Sequence, residues 1–294
     1  MKLAVCNELF GRISLDEVAD VSKRHGFGGI ELAPFTIFGD FDRSAVQRGI
    51  GEAKRALAAA GMRFAGFHWL LARPDGLHIT TPDGALRRKS WDHLRRLIDA
   101  AAELGGGNLI LGSPRQRSTT PGQSRREAIG ILTEELAAIA PFAAERGSPI
   151  LLEALSSDQT DVVNLLSEVS AIVEQVGNPG VDGMFDFHNC ADEADSHASL
   201  IDRHIGMIRH VHLNDPKGDL PLPGDRAYLP AFVRLRALRY DGWVSLEIFS
   251  LPEDPAEALR QTAAYIGDIE EGIECSESLE GAEKKSREEK SGKT

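Results

Sequence analysis

The sequence predicts an α/β protein, a single-domain (β/α)8 TIM barrel, and two observations lead to this prediction. Short apolar runs alternate with longer amphipathic stretches eight times over about 270 residues, and this count and length are typical of such a barrel. The competing architecture is a doubly wound sheet, which usually carries a glycine-rich nucleotide loop after its first strand. The segment "VCNELFGR" after the first apolar run is not such a loop.

Eight short apolar runs are predicted to form the strands, in chain order. They occupy 2–5, 29–32, 63–68, 108–111, 149–153, 181–186, 208–212 and 243–247. Amphipathic stretches such as 14–26, 81–105, 124–147 and 160–177 are predicted to form helices between them. The first of these stretches begins with Ser14, has Glu17 three residues later and ends at Gly26, which is a helix start and stop signal.

The character of the chain changes after Ile269. The segment "EEGIECSESLEGAEKKSREEKSGKT" is nearly all charged residues, serine and glycine, and has little apolar surface to bury. We therefore predict a barrel over 1–269 and a disordered tail over 270–294. A short helix or a partner-binding tag is the alternative for this tail.

Charge and cysteine content narrow the class of protein. The formal net charge is -12 and the pI is near 5.3, which argues against a generalised nucleic-acid or anionic-membrane binder. Cys6, Cys190 and Cys275 are too far apart for a CxxC zinc site or a disulfide framework. No apolar run approaches the ~20 residues of a membrane span. We expect a cytoplasmic protein with neither nucleic-acid nor membrane partners.

Four successive predicted strands end in residues that bind metals or move protons: Glu153, Asp186, His212 and Glu247. They are separated by 33, 26 and 35 residues, about one βα unit each, so in a barrel they converge at the carboxyl-end mouth. Strand alternation points Glu153, His212 and Glu247 inward. Three carboxylates in an apolar mouth resist ionisation unless a cation neutralises them. We predict one divalent ion, Mn²⁺ or Mg²⁺ first and Zn²⁺ or Co²⁺ next.

Other polar residues are predicted to lie at the same mouth. His68 ends the third strand with inward parity, and Glu8 follows the first strand, so both are candidates for substrate contact. Arg115 and Arg117, in "SPRQRSTT" after the fourth strand, are candidates for gripping a phosphate or carboxylate. The alternatives are a structural role for His68 and a solvated loop for the two arginines.

The four strand-end residues, together with "GFGGIELAPF", "GFHWLL" and "HVHLNDPKG", resemble the sugar phosphate isomerase/epimerase superfamily. This xylose isomerase-like barrel group includes ketose 3-epimerases, hydroxypyruvate isomerases and endonuclease IV, and the resemblance spans the chain up to about Ile269. It implies that Glu153 and Glu247 bind the metal and also act as an acid/base pair, and that His188 contacts substrate. The substrate-gripping arginine of the epimerases has no aligned counterpart, and Lys217 and Arg226 are the candidates for its role.

The resemblance implies a metal-dependent isomerase or epimerase of a small sugar, sugar phosphate or keto-acid. In this chemistry a carboxylate removes the proton beside a carbonyl, and the metal stabilises the enediolate. One alternative is a keto-polyol dehydratase, which removes the same proton and then expels a hydroxyl. Another alternative is a barrel that only binds sugar. The identity of the substrate, and assembly as a homodimer or homotetramer, remain open.

A nuclease of the endonuclease IV type is a further alternative. Its three-zinc site needs an additional histidine at the end of the fourth strand and another in an Asp-x-His sequence after the seventh strand. Here the fourth strand ends in "LILGSP", and "DRA" stands at 225–227. Both histidines are therefore missing from the expected positions, which makes this alternative the weakest.

Overall fold

The eight predicted strands form a closed parallel barrel in which each strand pairs with its neighbours in sequence and β8 pairs with β1. The structure is a computed structural model that describes residues 1–190 and 193–291, with side chains described up to residue 278. The strands are β1 Lys2–Cys6, β2 Gly29–Leu32, β3 Arg63–Phe67, β4 Asn108–Leu111, β5 Ile150–Leu152, β6 Val181–Asp186, β7 Ile208–Leu213 and β8 Trp243–Leu246. The predicted fold class is confirmed, and each strand boundary lies within one residue of its prediction.

Helices surround the barrel. They are α1 Leu15–Arg24, α2 Pro34–Phe38, α3 Arg43–Ala60, α4 Gly84–Glu103, α5 Pro114–Arg117, α6 Arg125–Glu145, α7 Leu166–Val176, α8 His197–His204, α9 Leu229–Ala237 and α10 Pro255–Ser291, with a 3-10 turn at Asn7–Phe10. Helix α1 begins where the sequence predicts, because Ser14 and Glu17 satisfy each other's backbone N–H groups in a capping box. Within the described ranges, no helix combines the length and the apolar character that crossing a bilayer requires.

Side-chain alternation along the strands divides the core in two. Leu152, Val211 and Leu246 are buried in the large cluster that includes the apolar faces of the helices. Ile110, Leu151 and Met184 form a separate small cluster, and their opposite parity places it inside the barrel. A residue two positions after one of these interior residues also points into the barrel. It lies above the small cluster, at the carboxyl-end mouth of the barrel.

The carboxyl-terminal segment differs from the prediction. Helix α10 continues past Ile269 to Ser291, so a disordered tail beginning at residue 270 is wrong for the part whose side chains are described. Ile273 is fully buried, and it extends the helical spacing of the buried residues Leu259, Ile266 and Ile269 by one more turn. A single isoleucine among charged neighbours gives little sequence signal for a buried helical turn.

Candidate metal centre and active site

The strand ends bring Glu153, Asp186, His212 and Glu247 together at the mouth of the barrel. One ligand atom from each lies within 4.8 Å of one from every other member. Asp186 and His212 are paired in register on β6 and β7, while Glu153 and Glu247 directly follow β5 and β8. All four side chains are buried.

The imidazole of His212 is oriented by a buried carboxylate that the sequence analysis did not identify. Its Nε2 lies 3.1 Å from Glu31 Oε1, and the other oxygen of Glu31 lies 2.8 Å from His210 Nε2. Burial would raise the pKa of Glu31, but the two histidines outweigh burial and hold the pKa well below its ordinary value. Glu31 is therefore ionised and accepts a hydrogen bond from the Nε2–H group of each histidine, so Nδ1 is the nitrogen of His212 that faces the mouth.

The donor atoms fit a divalent cation. His212 Nδ1 lies 2.9 Å from Glu247 Oε2 and 3.6 Å from Asp186 Oδ2, yet within the described part of the chain this nitrogen has no hydrogen bond of acceptable geometry. Because Nε2 donates to Glu31, Nδ1 faces these carboxylate oxygens, and once it has lost its own proton it can bind a cation placed between them. Ligands about 2.1 Å from one ion lie at most about 4.2 Å apart, and because the four donor atoms all lie within 4.8 Å of one another, only small side-chain adjustments would bring them onto one ion.

The electrostatics of the four side chains also indicate a site for a cation. Burial, and then repulsion from Asp186 and Glu247, raises the pKa of Glu153 to about 8. Burial alone would lower the pKa of His212, but Glu247 and Glu31 outweigh it and raise that pKa well above its ordinary value. The protein thus concentrates negative charge at one buried point. A divalent ion held by these four residues would remove that electrostatic cost.

The Glu153 carboxylate is held in place from two sides. Asn189 Nδ2 donates to Glu153 Oε1 over 2.9 Å, and Gln159 in turn donates to the side-chain oxygen of Asn189 over 2.7 Å. The other oxygen, Oε2, lies against the backbone of Gly112, where any Cβ atom would collide with it. This close approach explains the glycine directly after β4.

Hydrogen bonds also position Asp186. The backbone N–H of Asn189 donates to Asp186 Oδ1 over 2.7 Å, and Asn214 Nδ2 donates to Oδ2 over 3.2 Å. The same Asn214 accepts the backbone N–H of His188 through its side-chain oxygen. Asn189 lies three residues after the end of β6 and Asn214 directly follows β7, so both hold carboxylates from the turns that leave these strands.

A second polar group overlaps the first at Glu247. Ligand atoms of Cys6, Glu8, His68 and Glu247 also lie within 4.8 Å of one another. His68 Nε2 lies 2.7 Å from Glu8 Oε2. Burial lowers the pKa of His68, but Glu8 and then Glu31 outweigh it and raise the pKa to about 9. The short contact is therefore best described as an ion pair. Cys6 retains its proton, because burial raises the pKa of its thiol well above the ordinary value.

Two adjacent cavities lie at the mouth. The inner cavity is lined by His68, Glu153 and Glu247, together with Trp69 and Phe249. The outer groove, of about 770 Å³, is lined in part by Glu8, Arg12, Trp69, His188, Phe249 and Leu251. Trp69, Gln159 and Phe249 border both, so a ligand on the two glutamates would extend into the outer groove.

The structure places several of the predicted substrate contacts at these cavities. Glu8 and His188 line the outer groove, while His68 lines the inner cavity. His188 Nδ1 also lies 3.0 Å from the carbonyl oxygen of Pro216, which fixes the orientation of its ring.

Arg117 requires a correction. Its guanidinium is fully buried and donates to the carbonyl oxygens of Leu111, Glu153 and Val163 over 3.1, 2.8 and 3.3 Å. The guanidinium therefore links the ends of β4 and β5 from below the mouth, and it does not point at a ligand in the mouth. The reason lies in α5, which begins at Pro114 and turns position 117 inward while Arg115 stays exposed.

The remaining cationic candidates lie on the segment between β7 and α9. Lys217 and Arg226 are both exposed, and neither lines the inner cavity or the outer groove where the structure describes those surfaces. A role in gripping substrate remains a prediction for Lys217, Arg226 and Arg115.

Sequence reasoning missed Glu31, Asn189 and Asn214. Glu31 stands inside the quoted motif "GFGGIELAPF", near the end of β2. The parity rule applied to the other strands would have placed it inside the barrel. The two asparagines carry no comparable signal, because an asparagine after a strand is an ordinary turn residue.

Comparison with known proteins agrees with this geometry. The family described as a xylose isomerase-like TIM barrel matches residues 19–269. The chain is 24% identical over 283 residues to the 3-dehydro-D-guloside 4-epimerase of Escherichia coli (strain K12), covering 90% of this chain and 99% of that enzyme. It is 24% identical over 227 residues to the ketose 3-epimerase of Arthrobacter globiformis, covering 76% of this chain and 74% of that enzyme.

A solved structure shows the same fold. The crystal structure of a 3-keto-D-glucoside 4-epimerase from E. coli, in its apo form, superimposes with a TM-score of 0.78 at 23% identity. The superposition covers 91% of this chain and 99% of that structure. This likeness shows that the two proteins share a fold.

Proposed function

The chain belongs to the family of xylose isomerase-like TIM barrels, and we propose that it is a metal-dependent epimerase or isomerase of a sugar. The observation that carries this proposal is the cluster of Glu153, Asp186, His212 and Glu247, in which both glutamates also line the inner cavity. The names of the two curated relatives, a dehydro-guloside epimerase and a ketose epimerase, support a keto-sugar as the substrate class.

A divalent ion bound by these four residues would act as a Lewis acid toward substrate oxygens on which negative charge develops. We propose Mn²⁺ as the first ion to test, because three carboxylates and one imidazole form a donor set that is mostly hard oxygen. The protein's own contribution is to orient these donors. Glu31 fixes the tautomer of His212, and Asn189 fixes one oxygen of Glu153.

Glu153 and Glu247 are the proposed proton-transfer pair. They follow β5 and β8, which are separated around the barrel by β6 and β7, so they approach the inner cavity from different directions. One carboxylate removes the proton from the carbon beside the carbonyl, and the other returns a proton to the opposite face. Each glutamate side chain is mostly buried, with only 6% of the residue exposed, which limits proton exchange with bulk water during the step.

Exchange of the substrate's α-hydrogen with heavy water, at saturating Mn²⁺, tests this proposal. The probes are D-fructose and methyl 3-keto-β-D-glucopyranoside, with the product analysed for configuration and for loss of a hydroxyl. Wild-type protein should exchange the hydrogen and give an epimer or isomer. Glu153→Gln and Glu247→Gln should each lower turnover by about 10²–10⁴-fold, the usual value of general acid/base catalysis.

The exposed Glu52→Gln, on α3, is the matched control and should behave as wild type. Near wild-type exchange by both active-site variants would contradict the assignment of the proton-transfer pair. A product that has lost a hydroxyl would identify a dehydratase and contradict the epimerase proposal. Exchange by one variant without completed epimerisation would support two separate proton-transfer groups.

A further inference from the structure

The outer groove has an apolar wall that the proposed proton transfer does not require. Trp69, Phe249 and Leu251 are 40%, 48% and 68% exposed, and all three line this groove. They are three of the seven large hydrophobic side chains that are exposed among the described residues. Apolar exposure is therefore concentrated at one place, beside the catalytic mouth, where it indicates a binding surface.

Trp69 is held at this wall in an unusual backbone conformation. Its φ is 52°, in the left-handed region that bulky residues rarely adopt. The residue directly follows His68, whose ring is buried against Glu8. The strained tryptophan is thus presented to the groove by the same turn that delivers a polar side chain to the inner cavity, an arrangement typical of functional sites.

The groove is larger than one sugar ring needs. Its volume of about 770 Å³ falls within the roughly 300–1,000 Å³ of pockets that hold drug-sized ligands. It adjoins the inner cavity, with which it shares Trp69, Gln159 and Phe249 as lining residues. A sugar placed on Glu153 and Glu247 would leave most of the groove to whatever substituent the sugar carries.

We propose that the outer groove is a subsite for an apolar or aromatic aglycone, so that the substrate is a keto-glycoside rather than a free ketose. This inference rests on the proposed function and specifies its substrate class. The occupant is a substituent of the substrate because the apolar wall begins at two residues, Trp69 and Phe249, that also border the catalytic cavity. Aromatic side chains in this position stack on flat or apolar groups.

Binding of inert glycosides tests the subsite without turnover. Phenyl and methyl β-D-glucopyranoside have no carbonyl group and cannot be epimerised, so their dissociation constants on the full-length, Mn²⁺-loaded protein report binding alone. We expect the phenyl glycoside to bind at least about tenfold more tightly than the methyl glycoside, the effect of burying one aromatic ring. Leu251→Ala and Phe249→Ala should each reduce this ratio about threefold or more.

Leu222→Ala is the matched control, because Leu222 is 63% exposed but is absent from the described lining of the groove. It should leave the ratio unchanged. Equal binding of the two glycosides, or a ratio that neither Leu251→Ala nor Phe249→Ala alters, would overturn the subsite. So would a dimer in solution that Leu251→Ala dissociates, since the wall would then be covered by a second copy of the chain.

The inference can fail separately from the proposed function. Phenyl and methyl 3-keto-β-D-glucopyranoside, compared by α-hydrogen exchange, report catalysis, whereas the inert pair reports only the groove. No exchange with either keto-glycoside would refute catalysis on this substrate class. The ratio of the dissociation constants of the two inert glycosides would still test whether the groove binds an aglycone. Exchange with both at equal kcat/KM would refute the aglycone preference while leaving the epimerase proposal intact.

Discussion

Replacing Glu31 with glutamine should weaken metal binding, although Glu31 is not itself one of the four proposed ligands. Glu31 accepts from Nε2 of both His210 and His212, and a glutamine has only one acceptor oxygen to offer. Asn108 Nδ2 lies 3.3 Å from His210 Nδ1 and donates to it, so His210 must keep its proton on Nε2. The glutamine oxygen therefore turns toward His210, and its NH₂ group faces His212.

A donor at that position forces the proton of His212 onto Nδ1 and removes the lone pair that faces the mouth. Loss of such a supporting interaction typically costs about 10–100-fold in metal affinity, which corresponds to about 1.4–2.7 kcal/mol. Calorimetric titration with Mn²⁺ measures this directly, with thermal unfolding of the metal-free protein as a check on folding. Glu52→Gln, at an exposed position on α3, is the control.

A compensating substitution makes the test specific. Adding Asn108→Asp to Glu31→Gln gives His210 Nδ1 an acceptor, so the glutamine can reverse and again offer its oxygen to His212 Nε2. Part of the lost affinity should return. An Mn²⁺ affinity of Glu31→Gln within twofold of wild type would refute the tautomer argument, and a double variant no better than the single one would show that lost charge alone is responsible.

Three further outcomes follow from the same structure. Because the pKa of Glu153 is raised to about 8, its carboxyl is largely protonated at pH 7 without metal. Mn²⁺ binding should therefore release protons, and the affinity for Mn²⁺ should increase from pH 6.5 to 8.5. Calorimetric titrations in buffers of different ionisation enthalpy measure this release, and finding none would contradict the prediction. Arg117→Met should lower the free energy of unfolding by about 3 kcal/mol or more, since three carbonyl groups lose a charged donor, whereas Arg115→Ala should change it by less than about 0.5 kcal/mol in chemical denaturation. Truncation after residue 278 should leave the melting temperature unchanged. Truncation after Ile269 should lower the free energy of unfolding by about 1.5–3 kcal/mol, because the buried Ile273 is lost. Equal melting temperatures for the two truncated proteins would contradict this prediction.

The sequence predicted the barrel and the convergence of Glu153, Asp186, His212 and Glu247 at its mouth because both depend on periodic signals. Strand alternation placed Glu153 and Glu247 two residues beyond interior positions, and the βα spacing placed Asp186 and His212 on neighbouring strands. These signals are local and repeat eight times around the barrel. Convergence at one mouth then follows from the closure of the sheet.

The errors concern side chains whose direction is set by non-repeating structure. Arg117 lies on α5, a four-residue helix that starts at a proline after the left-handed residue Ser113, and sequence pattern does not predict which side of such a turn is buried. The helix around Ile273 extends beyond the prediction because one buried apolar contact outweighed a polar composition. The groove formed by Trp69 and Leu251 depends on loops from several strands, so no single stretch of sequence predicts it.

The position of the bound ion is the most direct test of the central claim. Anomalous diffraction from crystals grown with Mn²⁺ should show one peak among the side chains of Glu153, Asp186, His212 and Glu247, with Nδ1 of His212 facing it. The overlapping cluster of Cys6, Glu8, His68 and Glu247 provides a defined competing position. A peak at that second position, or no ordered peak at the first at saturating Mn²⁺, would contradict the account.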